Sequence, residues 1–161
     1  MSLAISGKDL DFKILKEDWN VYELTDGGIL KVRYVLLKVV KTKAFNPMGE
    51  PVYAFASQNF LAPRTPKRLM GPPTSTPPTK EQIETSDKVE LDFKVKSENW
   101  NEYLVEDGTK LRIKLVLTKV ERSDFFDQMG YPIYGISSHT VTSVSVPKTL
   151  RKEPKGRRKG D

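Results

Sequence analysis

The sequence predicts an all-β protein that carries one small fold twice. Three observations predict it. The chain matches itself at an offset of 81 residues, its apolar residues alternate with polar ones at a period of two, and turn dipeptides recur between the alternating runs. Without a gap, 24 of 61 aligned positions are identical. Leu10-Asp11-Phe12-Lys13 returns as Leu91-Asp92-Phe93-Lys94, Trp19-Asn20 as Trp100-Asn101, and Tyr22 as Tyr103. Asp26-Gly27 returns as Asp107-Gly108, Met48-Gly49 as Met129-Gly130, and Tyr53 as Tyr134. The period is roughly twice that of common solenoid repeats, so the copies are domain-sized. The expected organisation is a first β-domain over 1–62, a proline-rich linker over 63–87, a second β-domain over 88–150 and a basic, disordered tail over 151–161.

The elements follow in order. Leu10, Phe12 and Ile14 alternate with Asp11 and Lys13, and Leu91, Phe93 and Val95 do the same in the second copy, the pattern of a half-buried strand. A second strand ends in Tyr22 and Leu24, or Tyr103 and Val105, and meets Asp-Gly, which suits a tight hairpin because Gly accepts positive φ. The third run, Leu30 to Lys41 and Leu111 to Arg122, is rich in Val, Leu and Ile. Its phase shifts near Tyr34-Val35-Leu36 and again before Val116, which predicts a bulge or bend that lets one strand serve two sheets of a barrel. Asn46-Pro47-Met48-Gly49 and Asp127-Gln128-Met129-Gly130 suit type I turns. A fourth strand follows, from Val52 to about Phe60 and from Ile133 to about Val146. Four or five strands in each copy predict a barrel or sandwich of SH3-like or OB-like size, or two halves that pack together into one larger barrel.

The linker holds Pro63, Pro66, Pro72, Pro73, Pro77 and Pro78 among Ser and Thr, a composition for an extended, stiff spacer. Pro77-Pro78 also suits a proline-recognising partner, and Thr79 to Thr85 suits one helical turn.

Length, composition and charge narrow the function. The 161 residues are 37% apolar and 30% charged, the balance of a soluble folded protein. No apolar run approaches a bilayer span, and no apolar stretch follows Met1 to Lys8 as a secretory signal would require. There is no cysteine, hence no disulfide and no thiolate metal site. These features fit a cytoplasmic protein away from membranes. The net charge of +6 resolves into nearly neutral domains and an excess of +5 in residues 147–161. Lys148, Arg151, Lys152, Lys155, Arg157, Arg158 and Lys159 form a candidate phosphate-contacting tail, or a merely solubilising terminus. Lys31, Arg33, Lys38, Arg112, Lys114 and Lys119 extend a basic stripe along the strands, or simply occupy exposed faces.

Catalysis has little support. His139 is the sole histidine, Gln58 holds its place in the first copy, and no Ser or Cys constellation accompanies it. Glu17 with Asp11, and Glu98 with Asp92, recur in both copies, and solvated strand edges explain them. No Gly-rich phosphate loop, EF-hand loop or nucleic-acid-binding signature is present. No catalytic residue, cofactor or metal is therefore expected. Trp19 and Trp100 are the candidate binding surface. Each lies three residues before the core-facing tyrosine and so points the other way, where it stacks on a ligand or packs between the domains; the bland alternative plugs a barrel end. The expected function is a non-enzymatic module that binds a macromolecule, with a protein partner in scaffolding or assembly. Nucleic-acid binding through the tail is the alternative, and a carbohydrate-binding appendage a more distant one. Exposed strand edges suit homodimers, but nothing in the sequence specifies an oligomeric state.

Overall fold

A computed structural model describes residues 7–152. The first half holds β1 (Gly7–Leu10), β2 (Phe12–Lys16), β3 (Asn20–Leu24), β4 (Ile29–Phe45) and β5 (Pro51–Arg64), then a 3-10 turn at Lys67–Leu69. After the short helix α1 (Lys80–Thr85) come β6 (Lys88–Leu91), β7 (Phe93–Ser97), β8 (Trp100–Val105), β9 (Lys110–Phe126), β10 (Pro132–Ser145) and a second 3-10 turn at Lys148–Leu150. Apart from one extra residue at the start of β8, every strand of the second half sits 81 residues after its counterpart.

The strands form two five-stranded antiparallel sheets, and no closed barrel forms among the described residues. This corrects the barrel form of the expected fold, whether one in each copy or one shared by the two halves. Closure would require the outer edges of β5 and β10 to find partners, and each pairs on one side only, with β4 and β9 respectively. The halves instead exchange a strand. β2 leaves its own sheet and pairs with β8, Phe12 opposite Val105, while β7 pairs with β3, Phe93 opposite Leu24. Each sheet thus draws strands from both 1–62 and 88–150. Single backbone hydrogen bonds prolong the exchange, the Thr25 N–H donating to the Asp92 carbonyl (3.0 Å) and the Glu106 N–H to that of Asp11 (2.8 Å).

The long strands act as spines. β4 pairs first with β3, from Ile29 to Val32, and later with β1, from Val39 to Thr42, on the side away from β5. Between these stretches its register slips at Leu37, and β9 slips at the corresponding Thr118. The expected phase shift is therefore a β-bulge, which bends the spine within one sheet rather than passing it between two. In β9 the change falls later than the sequence suggested, because Leu115 and Leu117 are still buried before Val120 takes over. One core lies beneath both sheets. Tyr22, Leu30, Val32 and Val39 from one half meet Tyr103, Leu111, Ile113 and Val120 from the other, all nearly inaccessible. Phe12 meets the edge of Tyr103, and Phe93 that of Tyr22, at the same centroid distance of 5.7 Å.

The proline-rich segment is a strap, not a free spacer throughout. Its first residues complete β5, and Pro66 packs on the Asp26-Gly27 turn of its own half. It then crosses to the second half, where the Gly71 N–H donates to the Gly130 carbonyl (2.9 Å) and the Thr74 hydroxyl to that of Phe126 (2.6 Å). The chain after the second 3-10 turn crosses back, the Lys152 N–H donating to the Gly49 carbonyl (2.7 Å). The expected helical turn is α1, whose Thr79 cap exchanges bonds with Gln82 in a capping box. At Gly130 φ is 86°, and a Cβ there would meet the Gly71 carbonyl oxygen at 2.6 Å. Gly130→Ala is therefore expected to cost about 1–3 kcal/mol and to loosen the strap. Thermal melting and proteolysis around residue 71 check it; an unchanged melting temperature contradicts the strap.

Candidate protein-interaction surface

Of the polar residues repeated between copies, Glu17, Asn20, Asn101 and Asp26 are buried where the halves meet and Glu98 and Asp107 are half-buried, whereas Asp11 and Asp92 are exposed. Glu17 follows β2 and is covered rather than solvated, which corrects the expectation that it lines an exposed edge. Its carboxylate accepts from the Tyr103 hydroxyl (2.7 Å) and the Leu36 N–H (3.4 Å), beside Arg33 at 3.5 Å. Glu98 repeats this with the Tyr22 hydroxyl (2.7 Å) and the Leu117 N–H (3.3 Å). Each carboxylate thus serves a backbone amide beside the spine bulge and a tyrosine from the other half. Asn20 and Asn101 add bonds to the carbonyls of Leu115 and Tyr34. Asp26 accepts from Tyr134 and Arg122, both at 2.9 Å, and Asp107 from Tyr53 at 2.6 Å, so each Asp-Gly turn is held by the opposite half.

These bonds set the ionisation. Burial, and then the neighbouring Glu98 or Glu17 carboxylate, push the hydroxyls of Tyr22 and Tyr103 far above the ordinary tyrosine range. Burial and Asp107 bring Tyr53 up to about 12, and burial raises Tyr34 and Tyr134. At Asp107 burial opposes ionisation, but the bonds from Tyr53 and Thr109 and the Lys41 charge outweigh it and lower the pKa. A raised folded pKa stabilises fully below the unfolded value of 10.0 and loses its contribution as pH climbs towards the folded value. Alkali should therefore unfold the protein from about pH 10 upwards, with most of the six tyrosines ionising late and together. Ultraviolet tyrosinate absorbance followed alongside circular dichroism checks this; independent ionisation of all six near pH 10 with the fold intact contradicts it.

The tryptophans lie outside the core cluster, at the starts of β3 and β8. Arg33 stands over Trp19 at 5.9 Å from the ring centroid, and Arg112 over Trp100 at 4.5 Å. Both faces are thus partly occupied by cations of this chain. The proposed basic stripe is likewise engaged in part: Lys38 meets Asp9 (3.1 Å), Arg112 meets Glu102 (3.4 Å) and Lys119 meets Glu90 (3.6 Å). Of the tail, Lys148 lies in the second 3-10 turn, Arg151 pairs with Glu50 (3.5 Å) and Lys152 lies over Phe45 (5.2 Å). Lys155, Arg157, Arg158 and Lys159 fall outside the described residues. His139 sits exposed on β10. An open depression of about 570 Å³ between α1 and β10 is lined by Ile83 and Ile136 with Lys80, Lys88, Glu84 and Glu121, a mixture of charges that selects no ligand class. No helix among the described residues is long and apolar enough to cross a membrane.

Sequence reasoning expected exposed strand edges but did not say which strands are outer ones. β2 and β7 are short outer strands, and each carries two lysines, Lys13 and Lys16 or Lys94 and Lys96. Charge of this kind discourages another strand from adding. β5 and β10 are outer strands of 14 residues each. From Val52 to Pro63 and from Pro132 to Pro147 neither bears a formal charge, counting His139 as neutral. Both faces of each are exposed in part, from Ala56 to Phe60 and from His139 to Ser145. The signal was present as two long uncharged runs in a chain that is 30% charged, but an outer strand cannot be told from a central one by its own residues.

Comparison with protein-family models, with curated proteins and with solved structures returns no match.

Proposed function

We propose that this chain is a non-enzymatic module for protein–protein assembly, built from two duplicated β-copies. One observation carries the reading: among the described residues the two longest outer strands pair on one side only and are uncharged over residues 52–63 and 132–145, while the short outer strands of the same sheets carry lysines. An extended segment of a protein partner satisfies the backbone donors and acceptors of such an edge, and its side chains fill the alternate positions. The buried carboxylates support the same reading, since their bonds join the halves into a rigid frame that holds the edges in place.

A photoreactive amino acid placed at Asn59 or Ser143 in the full chain tests it in the producing cell, with one at exposed Lys80 as reference. Protein adducts from the edge positions, and not from Lys80, are expected. Absence of adducts at both edges overturns the reading.

The excess positive charge of residues 147–161 favours nucleic-acid binding as a second reading. Affinity for single-stranded or duplex nucleic acid should then fall steeply with salt and lose slope when residues 153–161 are removed. Lys152 stays in that truncation because it is docked on Gly49. No binding at low salt dismisses the tether.

A further inference from the structure

We propose that the β10 edge pairs with the β10 edge of a second copy of this chain, in a two-fold dimer whose sheet runs unbroken through both molecules. The inference rests on the protein–protein reading and names its partner.

The two uncharged edges are not equivalent, and the difference selects β10. Near its end β5 carries Pro63, which has no N–H to donate, followed by the charged Arg64. At the corresponding places β10 carries Val144 and Ser145. The first edge is therefore blunted where the second is left open. Exposure agrees: all seven residues from His139 to Ser145 are exposed, and among the described residues this stretch pairs with β9 alone. Its composition, His-Thr-Val-Thr-Ser-Val-Ser, is rich in β-branched residues suited to pairing.

Symmetry accommodates the missing charge. In a two-fold interface the same patch meets itself, so a charge on the axis faces its own copy and charges of one sign around it repel. A different partner of opposite charge accepts lysines or carboxylates on this edge, whereas a self-partner disfavours a run of either sign near the axis. An antiparallel pairing centred on Thr142, the middle of the exposed stretch, sets Val141 against a Ser143 and Thr140 against a Val144. No formal charge meets its own copy. Thr and Val there also meet neighbours that suit them across the strands.

The test measures the mass of the purified full chain across a concentration series by sedimentation, with hydrogen exchange read on the peptide spanning Ser138 to Ser145. A dimer is expected, with protection in that peptide rising with concentration while Ser57 to Arg64 stays unchanged. Val141→Lys/Ser143→Lys opposes two lysine pairs across the axis and should weaken the dimer by roughly tenfold or more. Gln58→Lys/Asn59→Lys on β5 should leave it unaltered. A monomer at every concentration with constant exchange overturns the proposal, as does equal weakening by the β5 variant. If the β10 variant fails to fold, exchange of the unaltered chain decides. A purified monomer whose Ser143 cross-linker captures another protein removes the self-partner and leaves the assembly reading standing; no capture at either edge removes both.

Discussion

Replacing Glu17 by alanine is expected to destabilise the protein by about 2–4 kcal/mol, and replacing Glu98 by a similar amount. The loss comes from what the carboxylate leaves behind. The Tyr103 hydroxyl and the Leu36 N–H, both in covered positions, lose their acceptor together, and Arg33 loses its ion-pair partner. An unsatisfied buried group costs its desolvation, which exceeds the net worth of an ordinary hydrogen bond. For a chain of this size the melting temperature should fall by roughly 5–15 °C. Arg33 is 38% exposed, so water replaces much of the lost pairing and the hydrogen bonds dominate. Glu17→Gln retains an acceptor of nearly the same shape and should cost less than half as much. Equal damage from Gln and Ala would mean that charge, rather than the bonds to Tyr103 and Leu36, holds the site together. Little damage from Ala would mean that the network does not join the halves.

The strands, turns and bulges were legible because each is a local matter. Alternation placed Tyr22, Leu30 and Val32 inward, Asp26-Gly27 and Met48-Gly49 marked turns, and the phase shift read near Tyr34-Val35-Leu36 pointed to a bulge that falls just after it, at Leu37. The destination of β2 was not legible. Phe12 suits a place beside Tyr22 as well as one beside Tyr103, since the copies repeat both residues, and only the three-dimensional arrangement picks the exchanged partner. For the same reason Glu17 read as solvated: its burial depends on a tyrosine 86 positions away. Its identity in both copies, together with Tyr22/Tyr103 and Asn20/Asn101, was the available sign of a shared buried role. The tryptophans lie outside the core cluster, and the arginines over them come from neighbouring strands that spacing within one strand does not reveal.

Separating the halves should have the largest effect of all. A chain ending at residue 78 retains β1 to β5 but loses β8, the one strand that pairs with β2 among the described residues, and β7, which covers the other side of β3. Tyr22 loses Phe93 and Glu98, and Leu30 and Val32 lose the opposing sheet. An isolated half of this size is marginal in any case, and this one loses the residues that form half of its core. One rescue is open to it. Phe12, Glu17, Asn20 and Tyr22 each equal the residue 81 places on, so two identical halves can exchange β2 as the two unlike halves do.

Light scattering of residues 1–78, combined with thermal melting, therefore tests the interlocked architecture most directly. The expected species is either a strand-exchanged dimer that melts cooperatively or an unfolded monomer. A folded monomer with a cooperative melt of its own would show that the halves are independent, and the exchanged strands would then have no part in holding them together.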